Sequence, residues 1–110
     1  MKLPENTLIA YEKLTRYLLV FRERNDKSLW LAKAGFTLHN WKVLENALRT
    51  QILTLHATLT EDTQYGQTFE IKGKLIGPNG NSLSVCTIWM TEDETQQTKF
   101  ITMYPDRKGM

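Results

Sequence analysis

Residues 69–105 read FEIKGKLIGPNGNSLSVCTIWMTEDETQQTKFITMYP, and this stretch decides the fold. Apolar and polar residues alternate on both sides of the Gly77-Pro78-Asn79-Gly80 segment, as they do in strands with one buried face. Proline and the Asn-Gly pair favour tight turns, and the polar run at 91–97 separates a second pair of alternating segments. The stretch therefore predicts two successive antiparallel hairpins.

The residues before residue 54 have helical spacing. Leu14, Tyr17 and Leu18 lie at positions i, i+3 and i+4, which predicts a helix over Tyr11–Val20. A short helix is expected to begin at Ser28.

A longer helix is expected over Leu38–Ile52. Thr37 stands at its N-cap, and an apolar stripe begins at Trp41, which we expect to be largely buried. The alternation of Leu55, Ala57 and Leu59 predicts a first strand that begins near Thr54.

These elements predict an α+β fold with N-terminal helices packed on a four-stranded antiparallel β-meander. We expect residues 1–110 to form a single domain, with a helical part at about 7–52 and a sheet at about 54–105. No apolar run approaches the roughly 20 residues that span a bilayer, and no secretory signal is visible, so a cytoplasmic protein without a membrane partner is expected. The single cysteine, Cys86, builds no disulfide or thiolate metal site alone, and we expect no metal or cofactor.

Positive charge is concentrated in the predicted helical half. Residues 1–60 carry nine bases and five acids, whereas the remainder carries five bases and seven acids. Arg16, Arg22, Arg24 and Lys27 form the densest basic group, and guanidinium groups match the oxygens of a phosphate. The alternative interpretation is an ordinary solvated surface.

A second group of candidate residues lies on the last two predicted strands. Strict alternation places Thr87 and Trp89 on one side of the third strand, and Thr102 and Tyr104 on one side of the fourth, together with Phe100. A threonine hydroxyl in an apolar row is either hydrogen-bonded inside the protein or faces an open site. The alternative interpretation is strand propensity alone, because threonine and aromatic residues are common in strands that have no functional role.

Several short motifs give the chain a resemblance to a known family. They are Leu14–Leu19, Asn25–Ser28, Ala34–Thr37, Asn40-Trp41 with Leu44, Tyr65-Gly66, Gly77–Gly80, Thr87–Trp89 and Ile101–Pro105. In this order the motifs resemble a bacterial domain of unassigned function that is frequent in cyanobacteria and occurs at the ends of polymorphic toxins. That domain is in turn similar to the ribonuclease toxins of the barnase, EndoU and RelE type.

The resemblance implies a metal-independent endoribonuclease. Lys27 or Arg16 would supply the helix-borne cation, and Thr87, Thr102 and Tyr104 the polar groups of the sheet. Arg22, Arg24 and Trp89 would bind the RNA substrate. Lys27 or Arg16 should then approach Thr87 or Thr102 at the rim of the sheet.

The sequence does not identify a general base for this reaction. Threonine is not a base, and Tyr104 would need a lowered pKa. The alternatives are a non-catalytic module that binds a small cognate antitoxin or immunity protein, or an RNA-binding module that uses Trp89 and Tyr104 for stacking.

Overall fold

The computed structural model describes residues 1–24 and 26–107. Asn25, which belongs to one of the family motifs, lies outside the described residues. The helical elements are a first π-helix (Lys13–Leu18), α1 (Ser28–Ala32), a 3₁₀-helix (Leu38–Asn40), α2 (Trp41–Ala47) and a second π-helix (Leu48–Ile52). Among the described residues, no helix is long and apolar enough to cross a membrane.

The two longest predicted helices are present, but each contains a hydrogen bond that an ordinary α-helix does not have. The Leu19 N–H donates to the Leu14 carbonyl at 3.0 Å, and the Leu53 N–H donates to the Leu48 carbonyl at 2.8 Å. Both bonds join residues i and i+5, the pattern of a π-helix. Apolar spacing predicted the helical segments but not this wider turn.

The sheet has four antiparallel strands in the order β1-β2-β3-β4, which confirms the predicted meander and the α+β fold. Its strands are β1 (Thr58–Thr63), β2 (Gly66–Ile76), β3 (Ser82–Glu92) and β4 (Thr98–Pro105). One face, which we call the covered face, packs on the helices, and the opposite face is the open face. The second π-helix lies closest to β2, where a Cβ on Gly73 would come within 2.6 Å of Leu55 and 3.3 Å of Ile52.

The prediction that the first strand begins near Thr54 is wrong, because β1 starts at Thr58. Helical structure continues to Ile52, so the following residues form the connection to the sheet. Ala57 is buried, but Leu55 and Leu59 are 37% and 47% exposed. Strand β1 is exposed along its whole length, since it lies at the edge of the sheet.

Trp41 is only partly buried and packs at the margin of the core, so the expectation of a largely buried side chain is wrong. Its ring lies 5.9 Å from the ring of Tyr11, which is itself exposed. The start of the helix is as expected, because Thr37 and Asn40 form a capping box in which the Thr37 N–H donates to Asn40 Oδ1 at 2.8 Å.

The turn between β2 and β3 holds the C-terminal end of α1. The side-chain amides of Asn79 and Asn81 donate to the Lys33 carbonyl at 3.1 and 2.9 Å. A Cβ on Gly77 would lie 1.8 Å from the Ala34 carbonyl oxygen, so glycine is needed for this approach. The position of α1 is thus fixed by the hairpin predicted from the sequence.

Candidate functional site

A pocket of about 310 Å³ lies where the first π-helix and the segment that leads into α1 meet β4. We call it the cationic pocket. Its lining residues are Lys13, Tyr17, Leu18, Arg22, Lys27, Ile101 and Thr102. Three of them carry a positive charge, and none carries a carboxylate. A small concave site of this composition suits a phosphate group.

The first π-helix contributes Lys13, Tyr17 and Leu18 to the pocket. Leu18 is buried and anchors this turn to the core, whereas the Tyr17 ring is 52% exposed. π-Helical turns are rare in proteins and often occur at functional sites. Sequence reasoning missed Lys13 and Tyr17 as site residues, although their i, i+4 spacing places them on one side of a helix.

Lys27 connects the helical side of the pocket to β4. Its Nζ donates to Thr102 Oγ1 at 3.3 Å, so the predicted approach of Lys27 to Thr102 is present. Burial lowers the pKa of Lys27 from its ordinary value, and the nearby positive charge of Arg22 lowers the pKa further. This ammonium therefore loses its proton more easily than that of a solvent-exposed lysine.

The carboxylate nearest to Lys27 in sequence, that of Asp26, is hydrogen-bonded to Ser28. Asp26 Oδ1 accepts hydrogen bonds from the Ser28 hydroxyl at 2.7 Å and from the Ser28 N–H at 3.1 Å. The hydroxyl bond is the main cause that lowers the pKa of Asp26, which is thus a carboxylate at neutral pH. Within residues 1–24 and 26–107, Lys27 forms no ion pair, so its charge is not neutralised by a neighbouring acid.

Arg22 lies on the exposed side of the pocket. Its guanidinium carbon is 5.1 Å from the centre of the Tyr17 ring, which is a cation–π contact. The contact holds the guanidinium beside Lys27 while its N–H groups stay available to a ligand. Arg16 and Arg24 are exposed and are not among the described residues that line the pocket.

The four sheet residues predicted to act together lie on opposite faces of the sheet. Thr87 and Trp89 are fully buried on the covered face. The Thr87 hydroxyl donates to the Ile71 carbonyl at 2.8 Å and accepts from Trp89 Nε1 at 2.7 Å. Their polar atoms are thus satisfied inside the core, and neither residue can bind a substrate in this structure.

A β-bulge explains why strict alternation failed in β4. Ile88 pairs with Thr102 and Trp89 pairs with Phe100, so Ile101 is an extra residue without a partner on β3. Beyond the bulge, Met103 lies on the covered face, fully buried, whereas Thr102 and Tyr104 lie on the open face. The bulge also brings Ile101 and Thr102 to the cationic pocket.

Tyr104 does not have the lowered pKa that a general base would need. A hydrogen bond with the Cys86 thiol is the main cause that raises the pKa of Tyr104 to about 12, and partial burial adds to the shift. Burial likewise raises the pKa of Cys86, which is 2% exposed. At neutral pH both groups are protonated, which does not favour Tyr104 as a general base.

The fold and the pocket together define an α+β protein whose helical layer and sheet edge enclose a small cationic site. Residues 2–107 match the model of a family described as a domain of unknown function (DUF6883), and the chain belongs to this family. No curated protein and no solved structure gives a significant match to the chain.

Proposed function

We propose that this protein is a metal-independent endoribonuclease of the toxin type and that the cationic pocket is its active site. The observation that carries the proposal is the contact of Lys27 with Thr102 inside a pocket that has three positive charges and no carboxylate. Such a pocket binds a phosphodiester and stabilises the extra negative charge that develops when the phosphate is attacked.

Lys27 is the general base in this proposal, a role for which the sequence alone had offered no candidate. Its lowered pKa increases the fraction of neutral amine, and the Thr102 hydroxyl fixes the position of Nζ. The amine takes the proton of the ribose 2′-hydroxyl, and the 2′-oxygen forms a bond to phosphorus. The bond from phosphorus to the 5′-oxygen breaks, and the leaving oxygen takes a proton from the Lys13 ammonium.

The products of this reaction are a 2′,3′-cyclic phosphate and a 5′-hydroxyl end. Arg22 stabilises the charged phosphate in the transition state, because its guanidinium can donate two parallel hydrogen bonds to phosphate oxygens. Arg16 and Arg24, exposed outside the pocket, bind flanking phosphates of the RNA. Binding should therefore weaken steeply as salt is added.

The proposal is tested by incubating the purified protein with total RNA, with and without EDTA, and analysing the ends of the products. We expect cyclic phosphate ends in both conditions. Lys27→Gln should abolish cleavage, and Lys27→Arg should keep RNA binding but lose cleavage, because an arginine stays protonated. Lys33→Gln, which removes an exposed lysine just after α1, is the matched control and should cleave normally. Intact RNA with folded wild-type protein would refute the proposal.

The pH dependence provides a second test of the role of Lys27. A base must be deprotonated, so cleavage should increase with pH until the pKa of Lys27 is passed. This pKa is lower than the ordinary value of 10.5 because of burial and Arg22. Arg22→Gln should move the rising limb of the profile to higher pH, since it removes the neighbouring positive charge. A rising limb that Arg22→Gln leaves in place would argue against Lys27 as the base.

One observation favours a non-catalytic alternative. Tyr17, which lines the cationic pocket, is 52% exposed, and two apolar side chains close in sequence to Arg22 and Lys27 are also exposed, Phe21 at 69% and Leu29 at 67%. A mixed apolar and basic surface also suits a small acidic antitoxin or immunity protein, or an RNA strand that is bound but not cleaved. Tight binding with unchanged RNA would favour this module over the nuclease.

A further inference from the structure

A second pocket, of about 350 Å³, lies on the open face of the sheet between β2 and β4. We call it the outer pocket. Its lining includes Glu70, Lys72, Cys86, Tyr104, Asp106 and Arg107. Cys86 is buried beneath the other side chains and takes no direct part in binding. The proposed reaction does not use this pocket.

The two pockets differ in charge. The outer pocket has two bases and two acids, so its charges balance, whereas the cationic pocket has three bases and no acid. A second phosphate would gain little from balanced charges. A neutral ring that carries both hydrogen-bond donors and acceptors fits this composition better.

Tyr104 provides an aromatic surface for such a ring. Its side chain is 39% exposed on the open face, where Tyr104 is paired with Cys86 of β3. A pKa of about 12 keeps the phenol uncharged at neutral pH. Proteins that bind single-stranded RNA commonly stack bases on exposed aromatic rings of this kind.

Glu70 and Lys72 supply the polar contacts. They form an ion pair of 3.6 Å, and their side chains are 27% and 43% exposed. A carboxylate only accepts hydrogen bonds, and an ammonium only donates them. Guanine carries two neighbouring N–H donor groups and one carbonyl acceptor on its Watson–Crick edge, whereas each of the other RNA bases has a single donor group there. The two carboxylate oxygens of Glu70 can accept from both N–H groups of guanine, and the Lys72 ammonium can donate to its carbonyl.

The two pockets are neighbours along one strand. Thr102 lies in the cationic pocket and Tyr104 in the outer pocket, and both side chains are on the open face. Two residues of a strand span about 7 Å, a distance that a single nucleotide can bridge. We propose that the outer pocket binds the guanine of the nucleotide whose phosphate occupies the cationic pocket, with Glu70 as the selecting residue. The location of the phosphate rests on the proposed function.

The test is calorimetric titration with guanosine and with the four nucleoside 3′-monophosphates, none of which requires cleavage. We expect 3′-GMP to bind most tightly, and guanosine to bind more weakly because it lacks the phosphate. Glu70→Gln should reduce the affinity for 3′-GMP roughly tenfold, the usual range for losing a paired contact to a base. It should leave binding of inorganic phosphate unchanged.

Glu92→Gln is the matched control, because Glu92 lies on β3, is 34% exposed and is also paired with a lysine. This variant should bind like the wild type. Tyr104→Phe should retain the binding of 3′-GMP, and Tyr104→Ala should lose most of it. Equal affinities for the four nucleotides, or an unchanged preference in Glu70→Gln, would overturn the inference.

The two proposals fail in distinguishable ways. RNA cleavage by a protein that binds no guanosine would refute the proposed guanine site and support the proposed nuclease function. Binding of guanosine that depends on Glu70, without RNA cleavage, would support the base pocket and refute the nuclease.

Discussion

The two faces of the sheet use the same residue types for different purposes. On the covered face, Thr87 and Trp89 bond to each other and to the backbone, and no solvent reaches them. On the open face, Thr102 accepts a hydrogen bond from Lys27, and Tyr104 is paired with Cys86 of β3. A threonine and an aromatic residue two positions apart thus serve the core in β3 and line pockets in β4. Residue type alone does not assign a function, because the face decides it.

The sharpest contrast between the faces is at two neighbouring residues of β4. Met103 is fully buried, so Met103→Ala should cost about 2–5 kcal/mol of unfolding free energy through lost burial and a cavity. Thr102→Ala should cost less than about 1 kcal/mol, because the side chain is only partly buried. Urea denaturation measures both values. A larger cost for Thr102→Ala than for Met103→Ala would mean that β4 does not contain the bulge and that its faces are exchanged.

The hydroxyl groups provide the next contrast. Thr87→Val should cost about 1–3 kcal/mol, because it leaves the Trp89 N–H and the Ile71 carbonyl without their buried partner. Thr102→Val should change stability by no more than about 0.5 kcal/mol. Thermal and urea unfolding of the two variants give this comparison. An unchanged free energy of unfolding in Thr87→Val would show that water reaches the covered face.

The smallest expected effect concerns the open face and alkaline pH. Tyr104 should ionise near pH 12, above the ordinary value of 10, in an ultraviolet titration of the folded protein. Since the folded pKa is raised, the stabilising contribution is complete below pH 10 and is lost as the pH increases towards 12. Cys86→Ala should lower the pKa of Tyr104, because the bond to Cys86 is the main cause of the shift. If the pKa of Tyr104 is unchanged in Cys86→Ala, burial alone is the cause of its increase.

Local signals explain what the sequence could predict. The Gly77–Gly80 turn and the alternation around it predict β2 and β3 correctly, because turn chemistry and strand period act between close neighbours. The start of β1 was predicted too early, near Thr54 instead of Thr58, because the alternation of three apolar residues occurs equally in an irregular connection.

The candidate site was predicted only in part, for a physical reason. The resemblance led us to expect Lys27 or Arg16 near Thr87 or Thr102, and of these pairs the contact of Lys27 with Thr102 exists. The bulge at Ile101 was not predictable, because it depends on pairing with β3 and on the helices that cover the sheet. Strict alternation without a bulge groups four residues as one candidate site, namely Thr87, Trp89, Thr102 and Tyr104. Lys13 was missed because it precedes the dense basic run.

The contact between Lys27 and Thr102 joins residues that are 75 positions apart. A ribosome that adds roughly 5–20 residues per second therefore needs several seconds to pass from one to the other. During that interval the nascent chain has its cations but not the hydroxyl or the edge of β4 that complete the pocket. If the pocket is the proposed nuclease, a chain still attached to its own messenger RNA cannot cleave that message before Thr102 has been synthesised.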